Sequence, residues 1–393
     1  MRCLAKVAFQ GKIVLPDGLL ENGLLIVKGE RIVYVGKKIP LNDCEIINVK
    51  GYLWPGLLDI HVHGSGGADV LDDSEGALPQ MARSLIRFGV TGFLATTMTA
   101  AKPVLARAMS NIVRSASRIP DGAEVLGIHL EGPWLSKDYL GAQNPSYIAA
   151  SSESEAKWAI NTSQGMLKLV TLAPESPGVL KAIRVFTENR IVVSLGHSDA
   201  TWVQVETAVA AGASHVTHVF NAMRGLHHRE PGMAGAALAE DRLSVELIAD
   251  GWHVHPAIIR IIAKVKPSDQ LILVSDGISA VGMPDGEYQL GGLPIVVREA
   301  QARLGNGALA GSLLTLNKAV FNMASFAHIP LWQAVRMASL APAKKLGIDS
   351  EYGSIEKGKK ANLVIVDEAA RVELVYREGR QVYRRPGYEE NSG

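Results

Sequence analysis

Leu57-Leu58-Asp59-Ile60-His61-Val62-His63 decides the architecture of this chain. Apolar residues with two histidines two apart read as a strand, and on a strand both imidazoles project from one face, where they can grip a single ion. Four further apolar, β-branched segments end on an acid or an imidazole in the same way. They are Val125-Leu126-Gly127-Ile128-His129-Leu130-Glu131, Ile191-Val192-Val193-Ser194-Leu195-Gly196-His197, His215-Val216-Thr217-His218 and Leu271-Ile272-Leu273-Val274-Ser275-Asp276. Residues 92–97, 167–172 and 244–250 are strand candidates with other endings, which makes eight.

Between these segments, residues 77–88, 102–118, 152–163, 176–188, 199–211 and 256–265 carry helical periodicity, several opened by Ser, Asp or Pro. Strands alternating with helices imply parallel βαβ units. The predicted fold is therefore α/β, a (β/α)8 TIM-type barrel over residues 55–347, ending in two helices at 313–324 and 331–346. His61, His63, Glu131, His197, His218 and Asp276 then share the C-terminal rim of the barrel, the face on which such folds build their sites.

The chain ends differ in character. Residues 23–36 read as an alternating hairpin with a Gly-Glu turn, and 361–367 and 372–376 repeat the pattern. Neither end is long enough to bury a core alone. Residues 1–54 and 348–393 are expected to form one small β-sandwich domain beside the barrel.

Composition sets bounds. With 393 residues, 47% hydrophobic and 20% charged, the chain suits one large and one small globular domain. A net charge of +1, with no basic run longer than two, offers no field for nucleic acid or anionic lipid. No stretch approaches the ~20 apolar residues of a membrane span. Two cysteines, Cys3 and Cys44, are too few for a disulfide framework, and no signal-peptide core is seen, so a cytoplasmic location is expected.

A single histidine at a strand end is more often a hydrogen-bonded packing residue than a ligand. Four histidines and two carboxylates on one rim are hard to obtain from packing, because buried charges need partners. His129 shares a face with Glu131 but lies deeper, which suits support of a ligand better than ligation. His215, three before His218, is expected on the opposite face in a structural role; His227, His228 and His255 sit in loop-like sequence and are expected to be solvated.

Pro55-Gly56-Leu57-Leu58-Asp59-Ile60-His61-Val62-His63-Gly64 resembles the first-strand motif of the amidohydrolase superfamily, and residues 353–364 resemble its C-terminal return to the sandwich. Within it, His129-Leu130-Glu131-Gly132-Pro133-Trp134, Gly196-His197-Ser198-Asp199-Ala200-Thr201, Thr217-His218-Val219-Phe220-Asn221-Ala222-Met223, Arg229-Glu230-Pro231-Gly232, Asp250-Gly251-Trp252-His253-Val254 and Leu309-Ala310-Gly311-Ser312 are similar to the N-acetylglucosamine-6-phosphate deacetylases. The resemblance covers essentially the whole chain, and six blocks in order are far more specific than one His-x-His.

That resemblance implies a metal-dependent hydrolysis releasing acetate and glucosamine 6-phosphate. Glu131, His197 and His218 would hold a divalent ion, zinc or iron, leaving a position for water. Other amidohydrolases often bridge two ions with a carboxylated lysine; no lysine ends the fourth strand here, and Glu131 would serve. Members differ in whether they keep the first-strand histidines; His61 and His63 are present, so one or two ions are expected, with Asp276 beside the second. Asp276 would take the proton from the metal-activated water as it attacks the acetamide carbonyl and return it to the leaving amine, and His253 would meet the carbonyl or its oxyanion. Arg229 is the expected phosphate donor, with the Asn221 and Ala222 backbone N–H groups. Ala142, Gln143, Leu309, Ala310 and Gly311 would touch the substrate. Gln143 stands where relatives commonly have histidine, near the sugar phosphate, and cannot add positive charge. Because the family can borrow an arginine across a dimer interface, a homodimer is implied. Residues 277–310 exceed a normal loop and suggest a lid.

Two other functions fit the residues less well. Cyclic amide hydrolysis or base deamination shares the ligands but has no need of Arg229 or a Glu131 bridge. A non-enzymatic scaffold on this barrel would be expected to lose ligands, and all are kept.

Overall fold

A computed structural model describes residues 6–41 and 44–388. Cys3, and the outermost parts of the sequence assigned to the small domain, lie outside these residues.

Eight parallel strands follow one another around a sheet in chain order: Leu57–Val62, Val90–Thr97, Glu124–Glu131, Leu167–Leu172, Val192–Leu195, His215–Val216, Ser244–Leu247 and Leu271–Leu273. These are the eight segments read from the sequence. Every residue of the first two is buried, as befits strands covered by helices on one face and packed into a barrel on the other. Closure comes from the strand ends: Val62 bridges Gly277, the Asp276 N–H donates to the His61 carbonyl at 2.9 Å, and the His63 N–H donates to the Gly277 carbonyl at 2.8 Å. Asp59 pins the same seam, its Oδ1 accepting the N–H groups of His61 and Ser275, each at 3.3 Å.

Three of the expected helices begin at side-chain caps, while those expected from 176 and 199 begin three residues later, at Val179 and Trp202. Thr201 and Gln204 form a reciprocal capping box on Trp202–Ala211, Ser152 caps Glu153–Thr162, and His255 caps Pro256–Val265, accepting from the Ala257 N–H at 3.2 Å. Two differences stand out. Gly232–Ala239 is a helix with no counterpart among the expected ones, because seven of its eight residues are buried and it shows no polar face. The helix expected over 331–346 is two, Leu331–Met337 and Leu340–Lys345, broken at Ser339, whose φ of −139° is not helical.

Residues from both chain ends make one seven-stranded sheet in the order Arg380–Arg384, Val372–Arg377, Leu363–Val366, Cys44–Pro55, Lys6–Leu15, Gly18–Lys28, Arg31–Lys37. All neighbours are antiparallel except Lys6–Leu15 with Cys44–Pro55. Phe9 and Tyr376 meet edge to face at 5.0 Å although their strands stand three places apart. The sheet is thus rolled over its own core of Phe9, Leu25, Leu53, Leu363 and Leu374, as a small sandwich. Buried Arg377 ties it to the barrel by donating to the carbonyls of Ile119 and Gly122.

The long segment after the eighth strand is built, not loose. Gly286–Leu290, Leu293–Arg298 and Gln301–Leu304 form an antiparallel sheet whose Leu290, Ile295, Val297 and Ala302 pack on Met98 and Ile278. Its Leu290 lines the pocket at the barrel rim.

Candidate metal centre and substrate pocket

At the C-terminal rim, three of the site residues leave their strands through left-handed backbone, with φ of +49° at His197, +28° at His218 and +48° at Asp276. Such conformations cost on the order of 1–3 kcal/mol each and persist where surrounding contacts over-determine them. Here they bring side chains from different strand ends to one point.

The imidazole tautomers are set by what their Nδ1 atoms touch. His63 Nδ1–H donates to the Thr96 carbonyl at 3.1 Å, His197 Nδ1–H to the Tyr139 carbonyl at 3.0 Å, and His61 Nδ1–H to Glu246 at 2.8 Å. Each Nε2 is thereby turned toward the rim. The Nε2 atoms converge: His61 Nε2 lies 3.2 Å from His63 Nε2, and His197 Nε2 lies 3.1 Å from His218 Nε2. Glu131 Oε1 sits 3.4, 3.3 and 3.4 Å from Nε2 of His61, His197 and His218, and no hydrogen bond satisfies it although it is buried. Glu131 Oε2 is 3.4 Å from His63, and Asp276 Oδ1 is 3.5 and 3.2 Å from His61 and His63. Imidazole nitrogens and carboxylates facing one another in a buried site suit a cation. The donor set fits a divalent metal in two adjacent groups, Glu131/His197/His218 and His61/His63/Asp276.

Electrostatics agree. Burial alone would keep His61 neutral, but the carboxylates of Glu246, Glu131 and Asp276 outweigh it and push its pKa up to about 10. Burial would raise the Glu131 and Asp276 carboxyls, yet neighbouring imidazoles, His61 foremost, hold both below their ordinary range.

Above this floor opens a pocket lined by His63, Met98, Glu131, Gly141, Ala142, Gln143, His197, His218, Asn221, Ala222, His253, Asp276, Leu290, Leu309 and Gly311. Gly141, at φ +57°, lets its loop pass close over His197, whose ring a Cβ would meet at 3.3 Å. His253 gives its Nδ1–H to Asp250 at 2.6 Å, which outweighs burial and raises its pKa.

Other expected residues are placed differently. Arg229 is exposed, outside the pocket lining, with its guanidinium 2.9 Å from His228 Nε2. Ala310 is fully buried, its N–H donating to the Ala302 carbonyl at 3.0 Å. The Asn221 N–H is used within its own turn, on the His218 carbonyl at 2.9 Å. Gln143 lines the pocket, but its amide is engaged: Nε2–H donates to Glu131 Oε2 at 2.6 Å, and Oε1 accepts the Thr99 N–H at 2.7 Å. His129 lies beneath His61, ring to ring at 4.6 Å, with Nε2 2.7 Å from the Thr171 hydroxyl. His227, His228 and His255 are exposed.

His215 does not sit on the opposite face from His218. The sixth strand ends at Val216, and both residues address Glu246: His215 Nε2–H donates to Oε1 at 3.3 Å and the His218 backbone N–H to Oε2 at 3.2 Å. Glu246 itself was passed over in the sequence. Its one signal was a lone carboxylate inside the apolar run Leu243-Ser244-Val245-Glu246-Leu247-Ile248.

The model of the amidohydrolase family matches residues 52–382. The N-acetylglucosamine-6-phosphate deacetylase of Vibrio furnissii is 42% identical over 331 residues, 84% of this chain and 83% of its own. The N-acetylgalactosamine-6-phosphate deacetylase of Escherichia coli O157:H7 is 40% identical over 373 residues, 94% of this chain and 97% of its own. Among solved structures, a variant N-acetyl-D-glucosamine-6-phosphate deacetylase from Mycobacterium smegmatis, in complex with N-acetyl-D-glucosamine-6-phosphate, superposes with a TM-score of 0.91 at 33% identity, covering 96% of this chain and 99% of that one.

Proposed function

The chain belongs to the amidohydrolase family, and from that premise we propose that it hydrolyses the acetamide of N-acetylglucosamine 6-phosphate to acetate and glucosamine 6-phosphate, a step of amino-sugar metabolism. The convergence of four imidazoles, Glu131 and Asp276 on the floor of one pocket carries this reading. Amidohydrolases are metal-dependent, and these clusters are able to hold the metal.

In this reading Glu131, His197 and His218 would hold the principal ion, zinc or iron, and His61, His63 and Asp276 would hold a second beside it. When bound, the metal supplies an acidified water and Lewis-acid polarisation of the carbonyl. Asp276 accepts a proton as the water oxygen bonds to the carbonyl carbon, and delivers it to the sugar nitrogen as the C–N bond breaks. His253, oriented through Asp250, offers Nε2–H to the carbonyl oxygen as charge develops there. Ala142, Gln143, Asn221, Ala222, Leu309 and Gly311 frame the sugar, with Ala310 buried behind them.

The ligand roles of the first-strand pair are open to a direct count. Replacing His61 and His63 together with Ala should lower metal content toward one ion per chain while measurable deacetylation survives. Unchanged stoichiometry by elemental analysis excludes both residues as ligands.

Since Arg229 is exposed and lies outside the lining of its own pocket, we place it at the phosphate of a second copy, in a homodimer acting in the cytoplasm. Exposed Leu226 and Trp252, 56% and 59% accessible, supply apolar surface for such an interface. Arg229→Ala should raise KM for the phosphorylated sugar by roughly 10- to 150-fold, the equivalent of a charge-assisted contact worth about 1.5–3 kcal/mol. The unphosphorylated sugar should be nearly unaffected; equal losses on both rule out a phosphate contact.

The overall test is acetate release from N-acetylglucosamine 6-phosphate, its galacto epimer and unphosphorylated N-acetylglucosamine, with metal content measured on the same preparation. Turnover highest on the gluco phosphate supports the reading. The galacto epimer is a necessary arm because a 40% identical relative carries that name.

A further inference from the structure

We infer that Glu246, a carboxylate at the centre of the barrel with no part in the reaction steps, is the positioning residue that fixes His61 for metal binding. Glu246 lies on the seventh strand, is wholly buried, and accepts three N–H donors. Its Oε2 takes His61 Nδ1–H at 2.8 Å and the His218 backbone N–H at 3.2 Å; its Oε1 takes His215 Nε2–H at 3.3 Å. His215 is itself anchored through Nδ1 to the Ser244 hydroxyl, 2.7 Å away on the same strand as Glu246.

A buried carboxylate costs several kcal/mol unless it is paired and hydrogen-bonded. Elsewhere in the barrel interior Thr171, Ser194 and Thr217 are linked hydroxyls that satisfy one another without charge. What the carboxylate does is chemical: it holds the proton of His61 on Nδ1, so that the Nε2 lone pair faces His63 and the rim, and its negative charge makes that nitrogen a better donor to a cation.

Glu246 also groups with His61 and His129 at distances that would suit an ion. That arrangement is already satisfied as hydrogen bonds, since His61 Nδ1–H is spent on Glu246 and the His129 nitrogens face the hydroxyls of Thr171 at 2.7 Å and Thr96 at 3.4 Å. Its role is to support the site above it.

The inference rests on His61 being a metal ligand and is tested by zinc binding without substrate, so a chain that binds zinc yet does not deacetylate leaves it standing. Zinc dissociation is measured by chelator competition in the full-length wild type, Glu246→Gln, His61→Ala and the double variant. Glu246→Gln should weaken the more loosely held zinc about 10- to 100-fold, the usual effect of removing a carboxylate behind a ligating imidazole. The double variant should hold zinc about as weakly as His61→Ala alone. Unchanged zinc retention in Glu246→Gln, or losses that multiply in the double variant, overturn the inference; a merely structural role lowers the melting temperature of the metal-free chain without this non-additivity. If Glu246→Gln does not fold, the wild type decides. Imidazole 15N signals of His61 in the zinc-loaded chain, identified by their disappearance in His61→Ala, should show a protonated Nδ1 and a metal-bound Nε2, and the reverse pattern overturns the inference.

Discussion

Glu131→Ala is expected to lose most of its bound metal and at least about 1,000-fold in turnover while the barrel still folds. Of the ligand groups, only Glu131 stands close to all four rim histidines, its Oε1 within 3.4 Å of three Nε2 atoms and its Oε2 at 3.4 Å from the fourth. On the proposed assignment, removing it takes a ligand from the principal ion and the neighbouring carboxylate from the second. Polarisation of a carbonyl by a metal is worth several kcal/mol at the transition state, which is the size of the expected loss. Folding should survive because the carboxylate sits at the rim, whereas the barrel is held by an apolar cluster that includes Ile60, Leu94, Ile128, Leu169 and Leu247. Gln143 and Thr99 remain to hold the loop above. Elemental analysis, turnover and the melting temperature of the metal-free variant check the three parts separately. Full metal occupancy in Glu131→Ala excludes it as a ligand.

The sequence carried the barrel because its signals were local. Apolar runs of strand length, broken at regular intervals by capped amphipathic helices, leave few other topologies, and the eight segments read that way are the eight strands found. Gly232–Ala239 escaped for the converse reason: a helix buried all round has no periodicity to read. Chemistry at strand ends was legible too, since a histidine or carboxylate closing an apolar run is conspicuous. What one strand cannot disclose is which partner stands across the barrel. His61 and Glu246 are 185 residues apart and meet at 2.8 Å only because the first and seventh strands face the same interior. His215 was misjudged on the same ground, because strand alternation was carried past Val216 into the sharply turned backbone at His218. Gln143 shows a third limit. A loop residue near a site is easily read as meeting the ligand, whereas its two hydrogen bonds, to Glu131 and to Thr99, make it a strut between the loop and the metal floor.

Asp276→Asn should reduce kcat roughly 100-fold or more with substrate affinity near that of the wild type, since general acid–base catalysis contributes about 10²–10⁴-fold. The amide keeps the shape of the side chain and can still accept a hydrogen bond, but it cannot take a proton from water or carry one to the leaving nitrogen. The position suits a shuttle: Asp276 lines the pocket, and the imidazoles of His61 and His63 hold its carboxyl below the ordinary range, so that it is ionised and ready to accept a proton at neutral pH. The same geometry suits a ligand, because Oδ1 lies 3.2 Å from His63 Nε2 and 3.5 Å from His61 Nε2. Metal content separates the two roles. If Asp276→Asn loses metal in proportion to activity, ligation accounts for the whole effect and the proton shuttle is unsupported. If metal is retained, KM is little changed and turnover collapses, the missing function is the transfer of the proton. Glu131→Ala supplies the contrast, since there metal and activity are expected to fall together.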